Sequence, residues 1–193
     1  MLAIRRADVA ELNLRARLAM RAAGLLGPTE VIAAAGPYAE RRFATGDLVM
    51  ARRNDYRLGL INGSRGAVTA VDPAAGTVTV RFGTDPPLTL PRDYLDTGGL
   101  DHGYALTVHQ AQGLTATQAF VTAGDELYRE AGYVALSRAR DGTRLYVAAT
   151  PRPAAYDEDC HGVHREEPRE PLDALRQALT RSRAQQLATD IDL

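Results

Sequence analysis

The apolar positions of this chain keep a helical period only near its start. Val9, Leu12, Ala16, Ala19 and Ala23 recur at three- and four-residue intervals, and Gly24, Gly27 and Pro28 stop the run. The spacing predicts a helix over residues 9–23, capped by Asp8 with Glu11 completing a capping box, after a short strand at Ala3 and Ile4. Residues 30–35 read as a further short helix in connecting structure. From Gly46 the period changes. Residues 47–51, 66–71, 77–82 and 88–90 are short β-rich runs, separated by turn formers such as Asn62-Gly63, the 72–76 stretch and Asp85-Pro86-Pro87. Strands this short and closely spaced predict a small antiparallel barrel of roughly 50 residues. After Gly98-Gly99 the pattern returns to α/β. Residues 104–108 and 118–123 read as buried strands, 125–140 as a helix and 144–149 as a closing strand. A Pro-rich, acidic linker and a helix over 172–188 follow. The fold class is therefore α/β: one parallel-sheet domain in two pieces, 1–45 and 101–150, interrupted by the barrel at 46–100 and followed by a linker and helix at 151–193.

Composition narrows the function. A chain of 193 residues that is 45% hydrophobic can bury the core of one medium domain with a small insertion. Its single cysteine, Cys160, excludes an internal disulfide, and no apolar run is long enough to span a membrane. The first dozen residues carry charges of both signs and resemble no export signal, so the cytoplasm is the expected compartment. Net charge is −1 but uneven: residues 1–66 hold eleven Arg against six acids, while 67–150 and 151–193 each hold six against nine. The basic third fits either a polyanion-binding face or a solvated surface. All 23 basic residues are Arg. A phosphate-binding loop of the Walker type needs a Lys ammonium at the terminal phosphates, so this chain is not a complete P-loop ATPase. Cys160, His161 and His164 offer three metal ligands with no fourth, and no metal is expected there.

The chemistry concentrates where the apolar run YALTVHQAQGLT (104–115) breaks at a His, two Gln and a Gly. Gln112 offers a donor and an acceptor at a strand end, and Gly113 lets backbone approach a ligand. That stretch resembles motif V of superfamily 1 helicases, and YVALSRAR (133–140) resembles their motif VI, in the right order. GDLVMARRNDYRLGLINGSRG (46–66) is similar to the start of the SH3-like 2B barrel of the RecD-like branch, and MLAIRRADVAELN to motif IV. The resemblance covers Met1 to about Ala149 and points to the helicase portions of TraA-type conjugative relaxases. The later ALTRSRAQQLA (178–188) also resembles their C-terminal segment. It implies a RecA-like domain 2A with an inserted 2B, the C-terminal half of an ATP-dependent 5′–3′ DNA helicase.

Several roles follow from the resemblance. Arg138 would be the catalytic guanidinium aimed at the transferred phosphoryl group. Gln112, Gly113 and one of Arg5 and Arg6 would join it in binding nucleotide. Thr107, His109 and Thr115 would meet single-stranded DNA, as would the basic, aromatic cluster Arg52, Arg53, Asn54, Tyr56 and Arg57 of the barrel. RecD-like relatives commonly have Lys where this chain has Gln110. Arg140, two residues beyond Arg138 and about 200° around an ideal helix, reads as a solvated or structural ion pair. ATP and Mg²⁺ are the implied cofactors, held mainly by an N-terminal domain 1A supplied in cis or in trans. Two functions stand: half of a motor, or a nucleic-acid-binding or protein-docking module that keeps a motor's fold.

Overall fold

A computed structural model describes residues 1–34, 40–124, 126–147 and 170–183. In chain order its elements are β1 (Leu2–Ala3), α1 (Arg6–Ala22), β2 (Glu30–Ala34), β3 (Glu40–Ala44), β4 (Leu48–Ala51), β5 (Arg65–Asp72), β6 (Thr77–Phe82), β7 (Leu88–Leu90), α2 (Arg92–Asp96), β8 (Leu100–His102), β9 (Leu106–Thr107), β10 (Ala116–Ala123), α3 (Arg129–Leu136), β11 (Ala139–Val147) and α4 (Pro171–Thr180). They form two compact units, Met1–Asp8 with Leu106–Leu193, and Val9–Ala105. Their sheets are mixed, one parallel and two antiparallel, with few helices among the described residues. Among the described residues no helix is long and apolar enough to cross a membrane.

The first unit is built on a parallel sheet in the order β11-β10-β1-β9. Parallel strands need burial, and Leu2, Ala3, Leu106, Ala119, Val121 and Ala123 supply it. Leu2 lies opposite both Val121 and Leu106, which sets the register at the centre of the sheet. Helix α3 packs on β10, and α4 packs on α3 and β11 through Leu175 and Ala178.

Two boundaries differ from the expected ones. The run at 104–108 is a strand only at β9. The helix expected over 125–140 is the eight-residue α3, with Asp125 outside the described residues. Its early end has a local cause. The Ala116 amide donates to the Arg138 carbonyl at 2.9 Å and Ala139 already lies opposite Ala116, so sheet pairing captures the chain at Ala139. Arg140 therefore sits on strand β11 and not on a helix, and the helical angle between it and Arg138 has no meaning here. The C-terminal helix ends at Thr180, short of the expected 188: Arg181 is already extended and residues 181–183 are not helical, while 184–188 lie outside the described residues.

The second unit carries an antiparallel sheet in the order β7-β6-β5-β4-β8 and a separate hairpin, β2–β3. Val78, Val80 and Phe82 point inward while Arg81 faces out, the alternation expected of a half-buried strand. Phe43, Val49, Leu90, Leu95 and Leu100 complete the core. The short helix expected over 30–35 is instead strand β2. Val31 and Ala33 are buried, Ile32 and Ala34 are exposed, and Val31 pairs with Phe43, so a period of two won over a weak helical pattern.

Helix α1 carries the larger surprise. It begins at Arg6, so Asp8 lies inside the first turn, complementing the helix dipole, and does not cap it. Its buried residues are Asn13 and Arg17, whereas Ala19, Ala23, Leu14 and Leu18 are exposed. The cause is Asp47, which is 0% exposed. Arg17 Nε donates to both Asp47 carboxylate oxygens at 3.1 Å, and its Nη2 donates to Glu30 at 2.7 Å. The Tyr104 hydroxyl and the Ala44 amide also donate to Asp47, each at 2.7 Å. Asn13 brackets the backbone of Ala105, accepting from its amide at 2.8 Å and donating to its carbonyl at 3.3 Å. These bonds draw α1 and the β2–β3 hairpin into the unit 9–105, which is wider than the insertion of 46–100 expected from strand spacing.

Candidate nucleotide and nucleic-acid site

Strand β9 ends in a loop that is tightly bonded to itself. The Ala111 amide donates to the carbonyls of Thr107 and Val108, that of Gln112 to His109, and that of Leu114 to Ala111. Gly113 closes it at φ +83°, where a side chain would be strained, and a Cβ there would meet nothing within 4 Å. The loop therefore needs glycine for its backbone angle and leaves open space above it. His109, Gln112 and Thr115 are exposed around this opening.

Thr107 is less available than its position suggests. Its amide and hydroxyl both donate to Gln110 Oε1, at 3.0 and 3.1 Å, and the Gln110 amide donates back to Thr107 Oγ1 at 3.2 Å. Gln110, the departure from the family's Lys, thus works as a clasp within the loop. No cationic phosphate contact is possible at that position.

Arg138 reaches this loop from the other side. It is the second residue past α3, and its side chain folds back over the helix end. Nε donates to the Val134 carbonyl at 2.8 Å, Nη2 to Ser137 Oγ at 2.9 Å, and Nη1 to the carbonyl of Leu114, next to Gly113, at 3.3 Å. An arginine at a helix C-terminus commonly satisfies free carbonyls in this way. All three acceptors are neutral, and no carboxylate among the described residues bonds to this guanidinium. Its geometry is thus set by neutral acceptors among the described residues.

Arg5 and Arg6 separate clearly. Arg5 Nε lies 3.1 Å from Glu126 Oε1 and its Nη2 donates to Glu126 Oε2 at 3.1 Å, whereas Arg6 is exposed at the start of α1 with no carboxylate partner among the described residues. Sequence reasoning did not find Glu126, because an ion pair between residues 121 positions apart leaves no local signal. Tyr128 was missed for the same reason: its hydroxyl lies 3.3 Å from His109 Nε2. The cluster Cys160, His161 and His164 lies outside the described residues.

The second unit holds the basic, aromatic cluster on the loop joining β4 to β5. Tyr56 is 83% exposed and Arg53, Asn54 and Arg57 are exposed, with Arg52 half-buried at the loop's base. The loop is ordered by its own polar atoms. Asp55 Oδ1 accepts from the amides of Arg57 and Leu58, and Asn54 accepts from Asn62 at 2.7 Å while donating to Tyr56 Oη at 3.4 Å. The Tyr94 hydroxyl donates to the Arg53 carbonyl at 3.1 Å and anchors the stem. Below it, burial, outweighing the attraction of the Asp47 carboxylate, lowers the pKa of His102. Burial and the hydrogen bond to Asp47 raise that of Tyr104, so that hydroxyl stays a donor.

These features have counterparts in known proteins. Residues 102–146, which enclose both the 107–115 loop and Arg138, match the UvrD-like helicase C-terminal domain. Over 141 residues the chain is 35% identical to the conjugal transfer protein TraA of Rhizobium radiobacter, covering 73% of this chain and 12% of that protein. The chain is thus similar to the C-terminal part of a helicase. It also aligns, over 111 residues and at 32% identity, with the multifunctional conjugation protein TraI of Escherichia coli, across 54% of this chain and 6% of that one. A Bacteroides Pif1 helicase, solved in complex with ADP-AlF3 and single-stranded DNA, shares the fold at a TM-score of 0.58 and 22% identity, over 77% of this chain and 40% of that one. The chain thus spans about an eighth of the length of the TraA relative, and the rest of that length lies outside the match.

Proposed function

We propose that this chain is the second motor domain of an ATP-dependent 5′–3′ DNA helicase, working in the cytoplasm as part of a conjugative relaxase. In this reading the parallel-sheet unit is the RecA-like domain 2A and the antiparallel unit contains the SH3-like barrel 2B. One observation supports it: Arg138 is held by three neutral acceptors, two at the end of α3 and one, the Leu114 carbonyl, in the 107–115 loop, which leaves its charge for a phosphate at the open space above Gly113. The residues present fit a nucleoside triphosphate in part. Arg138 would meet the terminal phosphoryl group, Gln112 and the Gly113 backbone would line the approach, and Arg6, exposed and with no carboxylate partner among the described residues, is better placed than the Glu126-paired Arg5 to add a second cation. Bound Mg²⁺ would neutralise phosphate charge, and its protein ligands would come from a Walker-bearing domain 1A in cis or in trans. Single-stranded DNA would run over His109 and Thr115 and, on the other unit, over Arg52, Arg53, Asn54 and Tyr56. Thr107 would act through its clasp with Gln110 to hold the loop.

The test is reconstitution. Mixed with a separate Walker-bearing domain of a TraA relative, the chain is expected to restore DNA-stimulated ATPase activity that neither part shows alone. The second reading, a binding module without a motor, is favoured by the exposed Tyr56 loop. It wins if the mixture stays inert while the chain alone binds DNA with a steep dependence on salt. Both readings expect a contribution from Tyr56. Replacing it by alanine removes one stacking platform and should weaken binding of single-stranded oligonucleotides by about 1–3 kcal/mol, measured by fluorescence anisotropy, with no change in melting temperature.

A further inference from the structure

The exposed loop residue His109 is connected to a part of the chain far from it in sequence. Tyr128, the residue before α3, places its hydroxyl 3.3 Å from His109 Nε2. The guanidinium of Arg183 lies over the same Tyr128 ring at 5.1 Å. The strap that carries Arg183, residues 181–183 after α4, is fastened to the start of α3 by three bonds. The Arg129 amide donates to the Arg181 carbonyl at 3.0 Å, the Arg183 amide donates to Glu130 Oε2 at 3.1 Å, and Ser182 Oγ donates to Glu130 Oε1. The bonds from Ser182 and the Arg183 amide hold the Glu130 carboxyl down at about 2, so it stays an acceptor throughout the neutral range. Behind the strap, Leu179 packs so closely on Gly132 that a Cβ there would come within 2.5 Å of its Cδ2.

We propose that this C-terminal strap positions His109 through Tyr128, making Tyr128 and Arg183 positioning residues for the nucleic-acid contact of the 107–115 loop. The physical argument is one of order. His109 is exposed, and its side chain has Tyr128 as its partner among the described residues. Tyr128 is in turn held in one rotamer by the cation above its ring. A loop residue already fixed in its binding geometry loses less side-chain freedom when a ligand arrives. The strap thereby joins the segment after α4 to the loop that reads the strand. This inference rests on the proposed DNA role of His109, but the coupling itself does not.

The experiment separates the two. In the full chain labelled with ¹⁵N histidine, the ring nitrogen shifts of His109 are recorded without DNA, and binding of a labelled oligo(dT) is then measured. Tyr128→Phe keeps the ring and removes only the hydroxyl. It is expected to shift the His109 ring signals and to weaken oligo(dT) binding about two- to fivefold. Arg183→Ala, which touches nothing on the loop, should do the same, and Arg183→Lys should restore both. Unchanged His109 signals in Tyr128→Phe and Arg183→Ala would overturn the coupling, and shifted signals with unchanged affinity would overturn its role in binding. Should Arg183→Ala release α4 altogether, Tyr128→Phe decides the case. If the wild-type chain binds no oligo(dT) while His109 responds to both variants, the coupling holds and the DNA reading of the loop falls instead.

Discussion

Replacing Asp47 by alanine is expected to destabilise the chain by about 3–5 kcal/mol, measured by urea denaturation. The carboxylate is 0% exposed and accepts from Arg17, Tyr104 and the Ala44 amide, so its loss takes one of two carboxylates from the buried Arg17 guanidinium and removes an acceptor from the Tyr104 hydroxyl and the Ala44 amide. Arg17 shows what the group does. Burial alone would lower its pKa, yet Glu30 and Asp47 together hold it raised. Asp47→Asn should cost less, because the amide oxygen keeps an acceptor for Tyr104 or Ala44, but it leaves the Arg17 charge with Glu30 as its one carboxylate partner among the described residues. Removing both charges with Arg17→Met/Asp47→Leu should recover much of the loss, as buried ion pairs exchanged for apolar residues of similar volume often do. The effect has a functional side. The network holds Tyr104, and Asn13 on the same helix face holds Ala105, the two residues that lead into β9 and the loop.

Replacing Arg138 by alanine should lower DNA-stimulated ATP turnover in the reconstituted motor by about three orders of magnitude or more, the range found for arginines that meet the transferred phosphoryl group. Oligonucleotide affinity of the chain alone should stay within about twofold. Arg138→Lys should not rescue turnover. A single ammonium cannot span the Val134 carbonyl, Ser137 Oγ and the Leu114 carbonyl and still present a planar pair of donors to phosphate. The same bonds give Arg138 a structural share, tying α3 to the loop. Melting temperature must therefore be recorded for each variant, and a fall of turnover much larger than the fall in stability identifies the chemical role.

Much of this architecture is legible in the residues. Short β-rich runs between Asn62-Gly63 and Asp72-Pro73 mark the antiparallel sheet, because turn residues and a period of two are local signals. The opening strand and the helix after it were visible in the same way. What escaped was set by partners far away. Val9, Leu12 and Ala16 are half-buried on the inner face of α1 as their spacing predicts, but the most buried positions beside them, Asn13 and Arg17, are polar, and the position of Asp47 explains Arg17. Strand β2 won over a helix because Phe43 pairs with Val31. Helix α3 stops early because Ala139 joins β10. At the site, Gly113, Gln112, His109 and Arg138 stood out as residue types at a strand end or helix end. Glu126 and Tyr128 became visible only as the partners of Arg5 and His109, and Gln110, noted in the sequence as a departure from relatives, gained its role as a clasp on Thr107 only from the structure.

The most direct measurement is the affinity of the reconstituted pair for ADP against ADP with aluminium fluoride, which stands in for the phosphoryl group in flight, with wild-type Arg138 and with Arg138→Ala. If the guanidinium meets that group, the substitution weakens the aluminium fluoride complex by at least about a hundredfold more than it weakens ADP alone. Equal weakening of both, or none, would contradict it and leave Arg138 as a helix cap that braces the loop.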